Sequence, residues 1–318
     1  MKKYFVFIIL LSFISTLSFA QDAANDSTGV NEKDKPVRSP FESGYLIDAQ
    51  TTVIPNAKTL EAVIQHKFGP VENGRSDLFG IYAAGANIRL GLNYVLLKNF
   101  QVGAGITKMN MATDVNAKWT IIQQTRKGTN PLSFALYGNM AIDGRNISAF
   151  GSESVRATYG GLPIHYKATD RLSYFSELII GRKFCDMFSL QTAVSFTHFN
   201  ATTVITDSNN KEIGVNEHDK VAVHLNGRIK VSPQGSIIFN YDQPLKIKDI
   251  SEQHAWTNTS LPNLAFGYEV STSTHAFQIY MGTTKSLLPQ ETIMNNHSDL
   301  NSIRNYCIGF NITRLWGF

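Results

Sequence analysis

Cysteine is nearly absent: Cys185 and Cys307 are the two in 318 residues. Two thiols so far apart make no disulfide framework, although they are free to pair after export. Neither has a close Cys or His partner at ligand spacing, so no metal site is expected. A charge excess of one sign is lacking too. The chain carries 29 Lys and Arg against 25 Asp and Glu, a formal +4, and nothing in that balance recommends nucleic acid as a partner. G-x-S-x-G, H-E-x-x-H, C-x-x-C and G-x-x-x-x-G-K-[ST] do not occur, and Gly85 in AAGAN opens no phosphate loop. No cofactor and no catalytic residue is therefore expected. Long apolar runs are missing beyond the first twenty residues. Any membrane crossing by the mature chain has to use strands.

The early run itself has the form of an export signal. Lys2 and Lys3 precede an almost wholly apolar stretch from Tyr4 to Leu17, and Ser18, Phe19 and Ala20 supply a small-x-small cleavage site. Residues 1–20 are read as a cleaved signal peptide, and residues 21–40, polar with Pro36 and Pro40 at the end, as a flexible periplasmic segment. Residues 41–318 form the third part.

What that part does have is alternation. Leu60, Ala62, Ile64, His66 and Phe68 alternate with Glu61, Val63, Gln65 and Lys67; Ala86, Ile88, Leu90, Leu92 and Tyr94 alternate with Asn87, Arg89, Gly91, Asn93 and Val95. Phe100, Val102, Ala104 and Ile106 oppose Gln101, Gly103, Gly105 and Thr107. Period two means a strand with different surroundings on its two faces. Glycine repeated on one face suits a curved wall whose inner side chains are crowded. Similar patterns recur over 118–124, 132–142, 172–184, 188–199, 221–231, 236–241, 264–270 and 275–283. The closing stretch NYCIGFNITRLWGF sets Tyr306, Ile308, Phe310, Ile312, Trp316 and Phe318 in one row, interrupted by Arg314. A soluble sandwich accommodates the same alternation, but not the spacing of the links. Links 98–99, 185–187 and 232–234 are tight, whereas 143–171, 200–220, 242–263 and 285–302 are long. Short turns on one rim and long loops on the other mark an outer-membrane barrel. The expected fold is all-β: a transmembrane antiparallel up-and-down β-barrel of about twelve strands, with short periplasmic turns, long outer loops and a helix allowed near 290–301.

LEAVIQHKFG (60–69), NIRLGLNY (87–94), FQVGAG (100–105), LIIGRKFCDMFSL (178–190), HAFQI (275–279) and IGFNITR (308–314) together resemble an uncharacterised family of β-barrel proteins from the Bacteroidetes, a domain of unknown function. The resemblance runs from about Phe41 to the end. It implies an outer-membrane-type barrel in a Gram-negative bacterium, and no catalytic residues.

Alternation then nominates the side chains facing the lumen: Glu61, Gln65, Arg89, Asn93, Glu177, Lys183, His224, Arg228, Lys230, Glu269 and Gln278. Groups of both signs in a narrow barrel either pair into a plugging network or line a hydrated channel. Trp316 and Phe318 are candidates for an insertion signal, and Arg314 is placed to reach the periplasmic headgroups. Tyr94, Tyr137, Tyr241, Tyr268, Tyr306, Trp256 and Trp316 are candidates for interfacial girdles. His218, His254, His275 and His297 are read as solvated. Ser195 and His198 suggest a hydrolase, but period two puts them on opposite faces; Ser173 with His165 is a weaker suggestion. The expectation is an integral barrel of structural or scaffold role and no enzymatic activity, with a passive pore or transporter for small solutes as the alternative and a rim-located hydrolase last. Its expected partners are outer-membrane lipid and the barrel-insertion machinery.

Overall fold

The computed structural model describes residues 34–150, 167–202, 204–206, 212–253 and 257–318. The signal peptide and residues 21–33 of the following segment lie outside them, as do His165, His254 and Trp256. Among the described residues no helix is long and apolar enough to cross a membrane.

Ahead of the wall, the described residues form a small hairpin, β1 (Tyr45–Leu46) and β2 (Ala49–Gln50). The wall starts at β3 (Thr59–Pro70) and continues through β4 (Asn87–Leu97), β5 (Phe100–Thr107), β6 (Ala112–Ile122), β7 (Ser133–Ile142), β8 (Leu172–Lys183) and β9 (Phe188–Phe199). A short ribbon, β10 (Val204–Thr206) with β11 (Glu212–Val215), extends the next link. The wall resumes with β12 (Asp219–Lys230), β13 (Gly235–Pro244), β14 (Asn263–Ser271), β15 (His275–Gly282) and β16 (Cys307–Gly317). Among the described residues, an α-helix, α1 (Pro289–Asn295), lies in the β15–β16 link.

Every wall strand pairs antiparallel with its sequence neighbours in the wall, and β16 pairs with β3 to close a twelve-stranded barrel. Closure removes the sheet edges, whose unpaired N–H and C=O groups hydrocarbon cannot satisfy. Burial follows the alternation: on β3 every second residue from Thr59 to Lys67 is buried, and the residues between them are not. Leu90, Leu92, Ile106, Trp119, Leu136, Val194, Phe266 and Ile279 stand exposed on the outer face, as a lipid-facing wall requires.

Both ends of the wall, Thr59 and Gly317, lie at the rim that carries the tight links 98–99, 184–187, 231–234 and 272–274. The opposite rim carries 71–86, 143–171, 200–218, 245–262 and 283–306. Two links depart from the expected asymmetry. Residues 123–132 form a longer link on the short-turn rim, and 108–111 a tight one on the long-loop rim, because β6 starts at Ala112 and not at Lys118. Its first half, ATDVNA, has little apolar side chain to reveal it. Cys185 and Cys307 are free thiols on opposite rims, which rules out a bridge between them.

Candidate functional site

The lumen is occupied by two inserts. From the short-turn rim, residues 35–56 turn inward before the wall begins: Val37 N–H donates to the Gln124 carbonyl (2.9 Å) and Arg126 N–H to that of Lys35 (2.9 Å). The stretch just before residue 40, expected as flexible, is thus pinned to the 123–132 link. The β1–β2 hairpin follows inside the barrel. Six of the segment's carbonyls accept from wall side chains. Lys118 Nζ reaches Gly44 (3.1 Å), Gln278 Nε2 Tyr45 (2.9 Å), Asn311 Nδ2 Ile47 (2.7 Å), Gln191 Nε2 Gln50 (2.6 Å), Thr120 Oγ1 Thr52 (2.8 Å) and Arg228 Nη1 Pro40 (3.4 Å). Phe41, Leu46 and Ile47 pack against Ile238, Ala265 and Tyr280. Ile47 sits at φ +56°, a left-handed conformation that costs a β-branched residue about 1–3 kcal/mol. It is held there because its N–H is also bonded, to Gln278 Oε1 (2.9 Å).

From the long-loop rim, the 283–306 link enters. Gln290, Ile293 and Met294 of α1 are buried, with Ile293 set among Ala135, Tyr137, Phe175, Ile179, Ala193 and Ala222. Gln290 Nε2 donates to Asn139 Oδ1 (2.8 Å). Lys67 joins the two inserts: its Nζ bonds Asp48 of the hairpin (2.7 Å) and the carbonyls of Thr284 (3.1 Å) and Ser286 (2.9 Å) in the loop. Between the inserts remains a cavity of about 30 Å³, lined by Tyr45, Asp48, Glu177, His224, Asp242 and Ile293 among others. That is room for a water or two.

Of the residues nominated from alternation, Glu61, Gln65, Arg89, Asn93, Glu177, His224, Arg228, Glu269 and Gln278 are buried inside the wall. Arg89 reaches across β5 to hold Asp114 with two bonds, Nε to Oδ1 (2.9 Å) and Nη2 to Oδ2 (2.7 Å), and donates from Nη1 to Gln65 (3.2 Å). Glu61 Oε2 accepts from Asn93 (2.9 Å) and Gln101 (2.7 Å). A Cβ at Gly105 would meet the Arg89 guanidinium, and one at Gly103 the Asn93 amide. The inner-face glycines therefore make space for these two side chains. Glu269 accepts from Gln278 (2.7 Å). Lys183 and Lys230 do not join this network. They are half-buried at the short-turn rim, where Lys183 pairs with the exposed Asp186 (2.9 Å).

His198 and Ser195 lie on opposite faces, as the period requires: His198 bonds Asp219 (2.7 Å) outside the lumen network, while Ser195 is buried inside. Ser195 instead meets His224. His224 Nε2 is 2.8 Å from Ser195 Oγ, and His224 Nδ1 is 2.7 Å from Asp242 Oδ1. Asp242 Oδ2 also accepts from Asn240 (3.0 Å) and Asn263 (2.8 Å). The order serine, histidine, aspartate has the form of a hydrolytic triad. The cavity adjoining His224 and Asp242 measures only about 30 Å³, and the three side chains form a buried polar chain.

Trp316 points outward at the short-turn rim with the Arg314 guanidinium 4.8 Å from its ring. Phe318 N–H donates to the Lys58 carbonyl (3.1 Å), and its side chain is exposed. Among the proposed girdle residues, Tyr137 turns out to face the lumen, buried beside Phe175, because it shares the inward parity of Ala135 and Asn139. Alternation left out Lys67, Asp114, Lys118 and Asp242 as site residues.

No curated protein matches the sequence. Solved structures show distant likeness. The NanC porin shares 7% identity at TM-score 0.45, with 81% of this chain and 99% of that one covered. An outer membrane channel from Pseudomonas putida F1 shares 9% at 0.46, covering 83% and 97%, and the KdgM porin 8% at 0.39, covering 82% and 99%. The sequence comparison reaches further than these: residues 41–316 match the membrane bound beta barrel domain (DUF5777), and with the hairpin and all of the wall but Gly317 inside that match, the chain belongs to this family of uncharacterised membrane barrels.

Proposed function

We propose that the protein is an outer-membrane barrel of a Gram-negative envelope, shut at rest by its own N-terminal hairpin, through which small polar solutes pass when the hairpin is displaced. The observation that carries this is the bonding of residues 40–52. Wall side chains on β6, β9, β12, β15 and β16 donate to the segment's carbonyls. Water can take over the four bonds from neutral donors at a net cost of about 0.5–1.5 kcal/mol each, and those from Lys118 and Arg228 at about 1.5–3 kcal/mol each. What would remain is a lumen lined by Lys118, Arg228, Glu61 and Glu269, polar enough to stay hydrated, with the 283–306 link still seated from the opposite rim; passage in this reading runs beside that link. In the resting state the barrel is a closed scaffold that carries its long-rim loops. It has no hydrolytic role in this reading, because the cavity beside His224 and Asp242 is only about 30 Å³.

Export through cleavage of residues 1–20 and insertion assisted by the machinery that recognises barrel ends complete the proposal. Trp316 and Phe318 at the rim where the wall closes are the residues for that recognition. Phe318→Ser is expected to lower the amount of folded barrel in the outer membrane, and an unchanged yield would remove that assignment.

Planar-bilayer recordings test the main claim. The purified mature chain, its folding verified by heat-dependent gel migration, is expected to be silent. A folded variant lacking residues 40–52 is expected to give discrete conductance steps. Steady steps from the intact chain would overturn resting closure, and a silent deletion variant would leave only the closed scaffold.

A further inference from the structure

The place where the N-terminal segment enters the barrel is a cleft of about 640 Å³ on the short-turn rim, lined by Arg38, Glu42, Lys183, Asp186, Arg228 and Lys230 with a few neighbours. Four cations face two carboxylates. Lys183 is paired with Asp186 (2.9 Å) and Arg228 with Glu42. Arg38 and Lys230 have no ion-pair partner among the described residues. The lining residues are therefore two positive charges in excess, one if Glu269, buried behind Arg228, is counted, in a water-accessible position beside the buried end of Arg228.

Arg228 is almost fully used. Its Nε donates to Ser236 Oγ (2.9 Å), Nη1 to the Pro40 carbonyl and Nη2 to Glu42, with Glu269 Oε1 3.6 Å from Nε. Glu42 differs from the deeper ties of the inserted segment. Its side chain is 29% exposed, whereas Asp48, bonded to Lys67, is 5% exposed. It is the tie that a solute can reach first. Apolar Met187 and Val231, both exposed, flank the cations on the same rim, so a lipid headgroup and a soluble anion have equal access.

We propose that this cleft binds an anion of the phosphate type, drawn by Arg38, Lys183 and Lys230, and that the anion displaces Glu42 from Arg228 and so loosens the hairpin. A doubly charged phosphate has more acceptor oxygens than the Glu42 carboxylate and suits the planar guanidinium fork. The binding half stands on the cleft alone. The release half rests on the plugged-barrel reading above.

The test uses the intact mature chain in detergent, with inorganic pyrophosphate as the soluble probe and sodium chloride at equal ionic strength as the control for screening. Calorimetry is expected to show saturable pyrophosphate binding, weakened at least tenfold in an Arg38→Ser, Lys230→Ser double variant that keeps its heat-dependent migration. Hydrogen exchange at residues 44–50 is expected to rise with pyrophosphate and not with chloride. Reconstitution into vesicles of phosphatidylglycerol or of phosphatidylcholine separates the sources: faster exchange in the anionic vesicles alone assigns the site to a headgroup, and a response to pyrophosphate alone assigns it to a soluble anion. Equal binding by the double variant, or equal loosening by chloride, overturns the site. Binding without loosening overturns the release step and leaves the conductance of the deletion variant as the separate measure of the plug itself. Glu42→Gln is a second check, since it should raise hairpin exchange without any anion.

Discussion

The hairpin of residues 45–50 and the loop of residues 283–306 fill one lumen by different chemistry. The N-terminal segment offers backbone carbonyls to wall donors and packs three apolar side chains, Phe41, Leu46 and Ile47. The loop sets Ile293 of α1 into an apolar pocket built by β7, β8, β9 and β12, with Leu288 packed on Ala112 and Ala141. Hydrogen bonds to carbonyls exchange with water at small net cost, while an apolar side chain leaves its pocket only by losing packing and burial together. Both inserts are anchored by buried apolar side chains; the hairpin differs in holding much of its remaining attachment in carbonyl bonds that water can replace.

Lys67 is where that distinction is most easily broken, because it serves both. Lys67→Met leaves Asp48 buried without its partner, a loss of about 3–5 kcal/mol for a broken buried pair. Amide exchange is expected to rise in both inserts, and an effect confined to one of them would show that Lys67 does not couple them. Ile293→Ala comes next. A large-to-small change at a fully buried site costs about 2–5 kcal/mol, and here the cost falls on the loop: α1 amides exchange faster while those of residues 45–50 do not change. Equal acceleration in the hairpin would mean that the two inserts unseat as one unit.

The smallest effect is that of pH on α1. Burial holds the Glu291 carboxyl above the ordinary glutamate range, against the opposing hydrogen bonds of Asn295 and Asn110. A carboxyl whose folded pKa lies above its unfolded value stabilises in its neutral form. That stabilisation is complete below the unfolded pKa and is lost as pH rises through the folded one. Opening of α1, read as exchange corrected for its intrinsic pH dependence, is expected to increase across that window. Glu291→Gln should flatten the profile, and an unchanged slope would assign it to another group.

The outer face of the wall was open to reading because lipid asks the same thing of every strand. Leu90, Leu92, Ile106 and Phe277 are interchangeable apolar groups at period two, and their rhythm alone places β4, β5 and β15. The inner face obeys no such rule, since each side chain answers to a particular partner. Asp114 was missed because the first half of β6 is polar on one side and small on the other; Asp242 was missed because β13 continues past Tyr241 to Pro244. His224 was recognised as inward, yet its link to Ser195 depends on the β9–β12 register, in which Ser195 faces Ala222 and lies diagonal to His224. Lys183 and Lys230 have the inward parity but stand at the ends of their strands, where the lumen gives way to the rim. The hairpin escaped altogether. Its strands are two residues each, and its turn runs through an isoleucine where a glycine or asparagine would have signalled one.

The ties of Ile47 to Gln278 and Asn311 join positions 231 and 264 residues apart. Those partners lie on β15 and β16, and they face a common interior only after β16 has paired with β3. The hairpin precedes every wall strand in the chain, and although β6, β9 and β12 offer it partners earlier, its full set of bonds exists only once the last strand is in place. Complete docking of the first-made insert therefore waits on the last-made strand.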